Sequence, residues 1–164
     1  MPALDSVLSL QAKVAKAADR LRSPLLLALR LYFGWVFCTT GWGKLQNLDR
    51  TTEFFRGLSI PAPHANAVLA ACTECFGGAL FLAGLGSRFV AAALSFTMVV
   101  AMLTAHRDAI VHFFDDPSQL AEQTAFPFLV AALTVLAFGP GAISLDALLQ
   151  RRSGDGSRKN QGTT

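Results

Sequence analysis

The run of residues 24–45, PLLLALRLYFGWVFCTTGWGKL, constrains the fold more than any other stretch of the chain. About 20 apolar residues of helix, at a rise of about 1.5 Å each, cross the roughly 30 Å hydrocarbon core of a bilayer. This run nevertheless carries Arg30 and Lys44. A charge inside a membrane is costly and usually points at a protein interior or a water-filled cavity. The run therefore predicts a membrane helix with one face packed against other helices.

The composition agrees with a membrane protein. Of the 164 residues, 52% are hydrophobic and 15% are charged, whereas about 25% of a soluble domain is charged. The net charge of +3 does not indicate nucleic acid, because the basic residues lie at the termini and loop junctions and form no basic face interleaved with aromatic residues. We therefore expect a lipid bilayer, and no nucleic acid, as partner. No cleavable signal peptide is visible in the mixed polar first 22 residues.

Four apolar runs predict an all-α, integral membrane four-helix bundle. The runs cover residues 24–45, 65–86, 87–106 and 123–138. An N-terminal amphipathic helix over residues 4–22 is expected to lie at the membrane interface, and a short surface helix over residues 144–149 follows the bundle. The predicted organisation is an interfacial helix in residues 1–23, a membrane domain in residues 24–148 and a disordered cytoplasmic tail in residues 149–164.

The distribution of Lys and Arg predicts the orientation. Nine of these residues lie on the side of the two termini and of the turn at residues 86–88, and four lie on the other side, with Arg30 left out as intramembrane. The side richer in Lys and Arg is cytoplasmic. We therefore expect a multi-pass inner-membrane protein with both termini inside.

Helical spacing places small residues and ionisable residues on common faces of three helices. The three predicted faces are Arg30, Gly34, Phe37, Gly41 and Lys44; Ala67, Ala71, Glu74 and Gly78; and Arg88, Ala92, Ser95, Val99, Met102 and His106. Small residues let neighbouring helices approach closely, so these faces are expected to meet.

The depths of the charged residues suggest a pair. At about 1.5 Å per residue, Arg30 lies roughly 7 Å to the cytoplasmic side of the midplane and Glu74 roughly 2–3 Å to the outer side, while Lys44 and His106 lie near the outer surface. The prediction is that Arg30 pairs with Glu74, directly or through water.

Two interpretations of these charges stay open: a structural ion pair, or a polar cavity that opens outward at Lys44. In the second, Glu74 accepts protons, Arg30 or Lys44 holds an anionic or quinone-like ligand, and His106 shuttles protons at the mouth. The catalytic candidates are Glu74, Arg30, Lys44 and His106. The candidates for cofactor binding are Arg30, Gly34, Gly41, Lys44 and Glu74.

The three cysteines, Cys38, Cys72 and Cys75, all lie in apolar segments. Small apolar core residues are one interpretation. A thiol-redox site is another, and a soft-metal site suited to Cu(I) is a third. A bridge between Cys72 and Cys75 would be strained, since side chains three apart on a helix are farther apart than a disulfide allows.

Several short motifs resemble the DoxX-like family of four-helix membrane proteins over residues 24–148. They are, in order, Arg30…Gly34…Gly41…Lys44-Leu45, then Leu58-Ser59-Ile60-Pro61, Glu74 with Gly77-Gly78, Gly84-Leu85-Gly86-Ser87-Arg88, and Phe138-Gly139-Pro140-Gly141…Ser144-Leu145-Asp146. The resemblance implies an inner-membrane bundle similar to the small subunit of a thiosulfate:quinone oxidoreductase. It also implies a quinone as candidate cofactor and other membrane or periplasmic redox proteins as partners. Other members are associated with oxidative-stress complexes or metal-handling peptides.

The leading prediction is a subunit or accessory of a membrane redox process between a thiol or sulfur compound and a quinone. The first alternative is a non-enzymatic membrane scaffold that recruits a partner. The second is a copper-handling membrane protein that uses Cys38, Cys72 and Cys75. Whether the chain is itself an enzyme, and whether it forms homo- or hetero-oligomers, stays open at this point.

Overall fold

The computed structural model of the chain describes residues 2–152, without the side chains of residues 2–10, 12 and 17. The described chain is helical and contains no strand. Its main helices are α1 (Pro2–Gln46), α2 (Leu48–Gly57), α3 (Pro63–Ala83), α4 (Ser87–Thr104), α5 (Arg107–Val111), α6 (Ser118–Glu122) and α7 (Ala125–Phe138). Residues 145–152 are helical as well. The predicted all-α class is confirmed.

Three of these helices, α1, α3 and α4, are long and apolar enough to cross a membrane. The apolar helix α7 is shorter, with 14 residues. It packs mainly against α4 and also contacts α1, while α1 packs along α3 and α3 along α4. These four helices form the bundle. The amphipathic helix α2 lies outside this set of four and packs on α3.

Helix α1 differs from the prediction because it does not end between residues 22 and 24. Pro2–Gln46 is one continuous helix of 45 residues with Pro24 in its interior. The predicted interfacial helix is therefore the first half of α1, and the boundary at residue 23 is not a helix end. The predicted tail in residues 149–164 lies outside the described residues from 153 onward.

The contact between α1 and α3 is built on glycines. A Cβ atom on Gly34 would lie 2.8 Å from the Cβ of Leu82, and one on Gly78 would lie 2.5 Å from the backbone nitrogen of Cys38. Real Cβ atoms do not come so close to other heavy atoms, so only glycine allows the two helices to approach this far. The predicted faces of the first and second spans are confirmed, since Arg30, Gly34, Gly41 and Glu74 are buried.

The predicted face of α4 is only partly right. Ser95 and Met102 are buried as predicted, whereas Arg88, Ala92 and Val99 are exposed. The buried residues of α4 are Ser87, Ala91, Leu94, Ser95, Met98 and Met102. Leu94, Met98 and Met102 thus fill the bundle interior, whereas Phe89, Phe96 and Leu103 are exposed. The amide of Ser87 donates a hydrogen bond to the carboxylate of Asp146 at the end of the bundle.

Aromatic side chains fill the interior between the two polar regions described below. Phe37 and Phe81 are buried, with exposed fractions of 1% and 0%. Phe37 meets Phe128 edge-on at a centroid distance of 4.7 Å, and Phe33 meets Phe128 at 5.2 Å. Edge-to-face pairs at this distance are favourable because of the ring quadrupoles. These phenylalanine side chains therefore form an apolar region inside the bundle, between the two polar regions.

Candidate functional site

Lys44 and Glu74 form an ion pair between α1 and α3, which we call the ion-pair site. The Nζ atom of Lys44 lies 2.5 Å from Oε1 and 2.6 Å from Oε2 of Glu74. The Glu74 side chain is only 3% exposed, whereas that of Lys44 is 36% exposed. Lys44 stands in the last turn of α1 and Glu74 near the middle of α3. The carboxylate is thus buried against a cation that still reaches the protein surface.

The predicted pair between Arg30 and Glu74 is wrong. Arg30 is 1% exposed and donates four hydrogen bonds to backbone carbonyl oxygens. The acceptors are Phe81 (3.1 Å), Leu82 (3.1 Å), Pro140 (2.5 Å) and Ile143 (3.0 Å). Helical side chains point toward the N-terminus of their own helix, so Arg30 reaches the end of α3. The last carbonyls of a helix lack partners within it and accept such bonds.

Asp146 completes this second polar region, which we call the arginine clamp. Its carboxylate accepts hydrogen bonds from the backbone amides of Gly86 (2.8 Å) and Ser87 (2.9 Å), at the start of α4. Its own amide donates to the carbonyl of Gly84 at 2.9 Å. Burial by itself raises the pKa of Asp146, but the bonds from the Ser87 and Gly86 amides and the charge of Arg30 outweigh it and hold the pKa below its usual value.

Gly84 is required by the shape of the clamp. It ends α3 in the left-handed conformation, with φ of 70°, which suits glycine. A Cβ atom on it would lie 2.6 Å from Cζ of Arg30. Any larger residue would therefore strain the backbone and push the guanidinium away from its carbonyls.

The two polar regions do not form one groove. Arg30 and Lys44 are 14 positions apart in the sequence, which is about 21 Å along a helix. A shallow groove of about 500 Å³ opens beside the arginine clamp, and its mainly apolar lining includes Leu27, Leu82 and Leu148, with Arg151. Neither Lys44 nor Glu74 lines it. The groove beside Arg30 is therefore separate from the ion-pair site, and a polar cavity at Lys44 and Glu74 stays a prediction.

The three thiols lie beside the ion-pair site. Cys75 follows Glu74 in α3 and is buried, whereas Cys38 and Cys72 are half-buried, and all three are free. Cys75 and Cys38 both lie at the contact between α1 and α3, where the backbone of each faces a glycine of the other helix. Within residues 2–152, no group of three or more His, Cys, Asp or Glu residues is arranged to hold a metal ion. The copper alternative at Cys38, Cys72 and Cys75 therefore has no support in the geometry.

The other predicted site residues have different surroundings. Gly34 and Gly41 face the backbone of α3 at Leu82 and Cys75, and we assign both to helix packing. His106 is half-buried at the junction of α4 and α5. No hydrogen bond or ion pair of the described chain joins His106 to Lys44 or Glu74, and its role as proton shuttle stays a prediction.

Lys44 retains a donor that could hold a ligand. An ammonium group has three N–H donors and no acceptor. Two of these donors can serve the two Glu74 oxygens, which leaves one, and the side chain is 36% exposed. A carbonyl oxygen of a quinone or another anionic or polar headgroup fits this free donor. The arginine clamp is less suited to hold a ligand, because Nε, Nη1 and Nη2 of Arg30 already donate hydrogen bonds to carbonyl oxygens of the protein.

Two features of the site were missed in the sequence. The partner of Glu74 is one of them, because a depth argument favours Arg30, whereas the side chain of Lys44 is the one that reaches Glu74. The role of Asp146 was missed as well, although the run Gly139-Pro140-Gly141 before it signals a chain reversal that returns to the bundle.

Comparison with known proteins identifies the family. The chain matches the DoxX family over residues 25–107, which is half of its length. The chain therefore belongs to the DoxX family, and with its three long apolar helices it is a membrane protein. The resemblance found in the sequence motifs is confirmed.

The name of a distant relative describes that protein as an oxidoreductase. The chain is 32% identical over 78 residues to the Bacillus subtilis (strain 168) protein named "Putative oxidoreductase CatD". The match covers 48% of this chain and 57% of the relative, so the chain spans little more than half the length of that protein. No solved structure matches this chain.

Proposed function

We propose that this DoxX-family protein is a subunit or accessory of a membrane redox process, in which a thiol or sulfur compound passes electrons to a quinone in the inner membrane. The observation that carries this proposal is the ion-pair site. A buried carboxylate, Glu74, is paired with a cation, Lys44, that is 36% exposed and keeps a free donor. The name of the relative, which calls that protein an oxidoreductase, supports a redox role.

The two side chains have separate roles in this proposal. Lys44 donates a hydrogen bond from Nζ to a carbonyl oxygen of the quinone headgroup. Glu74 holds the ammonium in place and takes or gives a proton as the redox state changes. Protonation of Glu74 frees Lys44 to turn fully toward the ligand, because the charge that holds it is then gone. We place both termini in the cytoplasm, following the distribution of Lys and Arg.

Arg30 has a supporting role in the same proposal. Its guanidinium is engaged by carbonyls on two parts of the chain, so it holds the end of α3 and the loop after α7. The apolar groove beside it is not part of the proposed quinone site.

Binding of decylubiquinone tests the proposal. The two tryptophans, Trp35 and Trp42, are both in α1 and both exposed, and quinone quenching of their fluorescence reports binding in nanodiscs. Lys44→Met is expected to weaken binding by about tenfold or more, the equivalent of about 1.4 kcal/mol. Glu74→Gln removes the charge that holds Lys44 and should therefore not weaken binding. The matched control is Glu53→Gln, which removes a carboxylate from the exposed pair with Arg56 at 3.7 Å.

The same preparation tests the scaffold alternative. Purification in mild detergent is expected to recover quinone with the wild-type protein, and less with Lys44→Met. A wild-type protein that carries no quinone, shows equal quenching in all variants and co-purifies with a stoichiometric protein partner would overturn the redox proposal in favour of a scaffold.

A further inference from the structure

We propose that Cys38 and Cys75 form a redox dithiol that cross-links α1 to α3 when it is oxidised, with a membrane quinone as the two-electron acceptor. The inference rests on the proposed function, because it names the group that passes electrons to the quinone. It goes beyond that function by assigning a specific disulfide to the bundle.

The close approach of the two helices places these cysteines near each other, because each lies at a glycine contact between α1 and α3. A Cβ atom on Gly41 would lie 2.8 Å from Cα of Cys75, and one on Gly78 would lie 2.5 Å from the nitrogen of Cys38. Cys75 thus faces Gly41 and Cys38 faces Gly78, and each of these glycines lies three residues from the cysteine of its own helix. The two cysteines are therefore about one helical turn apart across the contact between α1 and α3. A disulfide needs a Cα separation of about 4.4–6.8 Å, and helices packed through glycine reach that range without a large shift.

Cys72 is not the partner in this bond. It lies three residues before Cys75 on the same helix, where Cβ atoms are about 5–6 Å apart and a disulfide requires about 3.5–4.5 Å. A bond across two helices also changes the bundle, since it ties α1 to α3, whereas a bond within α3 constrains neither helix against the other. Cys72 is therefore replaced by serine in the test of this bond.

The reaction balances without a further reagent. The two thiols lose two electrons and two protons and form one S–S bond, and the quinone takes up both electrons and both protons to become a quinol. The location favours this acceptor. Cys75 is buried and Cys38 half-buried in helices long enough to span a membrane. A charged water-soluble oxidant is excluded from that depth, whereas a quinone is dissolved in the hydrocarbon.

The experiment uses the full chain with Cys72→Ser, reconstituted in liposomes and kept reduced before use. Decylubiquinone is added without air, and free thiols are counted by maleimide labelling after denaturation. We expect both thiols to be lost, about one quinol to form per chain, and mass spectrometry to find residues 38 and 75 linked. Dithiothreitol should restore both thiols. Adding Cys38→Ser or Cys75→Ser to this variant should abolish both the bond and the quinol.

Other results of this experiment would overturn the dithiol, the quinone as its electron acceptor, or the ion-pair site. Thiols that stay free with decylubiquinone and also with copper phenanthroline overturn the dithiol. A bond formed by copper phenanthroline but not by decylubiquinone overturns the quinone as acceptor. If decylubiquinone binds in a Lys44-dependent way while the thiols stay reduced, the proposed function stands and this inference fails. If the bond forms with quinol while Lys44→Met leaves binding unchanged, the dithiol stands and the proposed ion-pair site fails.

Discussion

Arg30 and Lys44, the two cations on the packed face of α1, are compensated in opposite ways. Arg30 is 1% exposed and donates to neutral carbonyls at the end of α3 and after α7. Lys44 is 36% exposed and donates to one buried carboxylate. A planar guanidinium suits several fixed acceptors, whereas an ammonium is a compact charge on a flexible stem. We therefore expect the arginine clamp to be rigid. We expect the Lys44 side chain of the ion-pair site to move when the charge of Glu74 changes.

The largest expected effect is the loss of the clamp. Arg30→Leu removes four hydrogen bonds and leaves carbonyls of α3 and the closing loop without partners. At about 1 kcal/mol for each bond, we expect a loss of about 3–5 kcal/mol of unfolding free energy. Thermal unfolding in detergent micelles, followed by circular dichroism, measures it. The control is Arg22→Leu, which removes one exposed bond to the Phe138 carbonyl. An Arg30→Leu variant with the same unfolding temperature as the wild type would contradict the stabilising role of the arginine clamp.

The ion-pair site should respond asymmetrically to loss of its two members. Lys44→Met leaves the carboxylate of Glu74, which is 3% exposed, without its cation, and we expect a loss of about 2–3 kcal/mol. Glu74→Gln leaves a lysine that can turn to the surface, and we expect a loss below about 1 kcal/mol. The same unfolding measurement compares the two variants. Equal losses would show that Lys44 is held as rigidly as Arg30, which would erase the difference between the two regions.

A glycine substitution in α1 should disturb the ion-pair site and leave the arginine clamp intact. Gly41→Ala places a Cβ against the backbone of Cys75 and must push α3 away beside the ion-pair site, at a cost of about 1–2 kcal/mol. Gly43→Ala is the matched control in the same helix, because a Cβ there meets nothing within 4 Å. It should leave stability unchanged or raise it slightly. Quenching of the tryptophan fluorescence by quinone should fall only in Gly41→Ala. Equal stability and equal quenching in the two variants would show that the contact between Gly41 and α3 is not needed.

The smallest effect concerns Asp146 and depends on pH. Its folded-state pKa lies below the usual value because amides of Ser87 and Gly86 and the charge of Arg30 outweigh burial. The carboxylate therefore stabilises the fold above its unfolded pKa of about 3.9, and this contribution is lost as pH falls through the lower folded value. At pH 7, Asp146→Ala should cost about 1 kcal/mol, the usual value of a helix cap. The difference from wild type should shrink on acidification, as followed by thermal unfolding at several pH values. A pH-independent difference would contradict the role of the charge.

Much of the fold is visible in the sequence because the information is local. The apolar runs predict the spanning helices, and helical spacing correctly places Arg30, Gly34, Gly41 and Lys44 on one face of α1 and Glu74 and Gly78 on one face of α3. Short motifs also indicate the DoxX family. These properties depend on neighbours within a few residues, so no tertiary information is needed to recognise them.

The pairing of the charges was decided only by the tertiary structure. Depth arguments assume that every helix is centred in the same plane, but glycine contacts set the register of α1 against α3, and that register brings Lys44, not Arg30, to Glu74. The return of the chain after Gly139 brings Pro140 and Ile143 onto Arg30 and Asp146 onto α4. These contacts join residues between 30 and 113 positions apart, and no local pattern encodes them. The run at residues 24–45 thus determined a packed membrane helix, while the structure decided that its two charges serve separate regions.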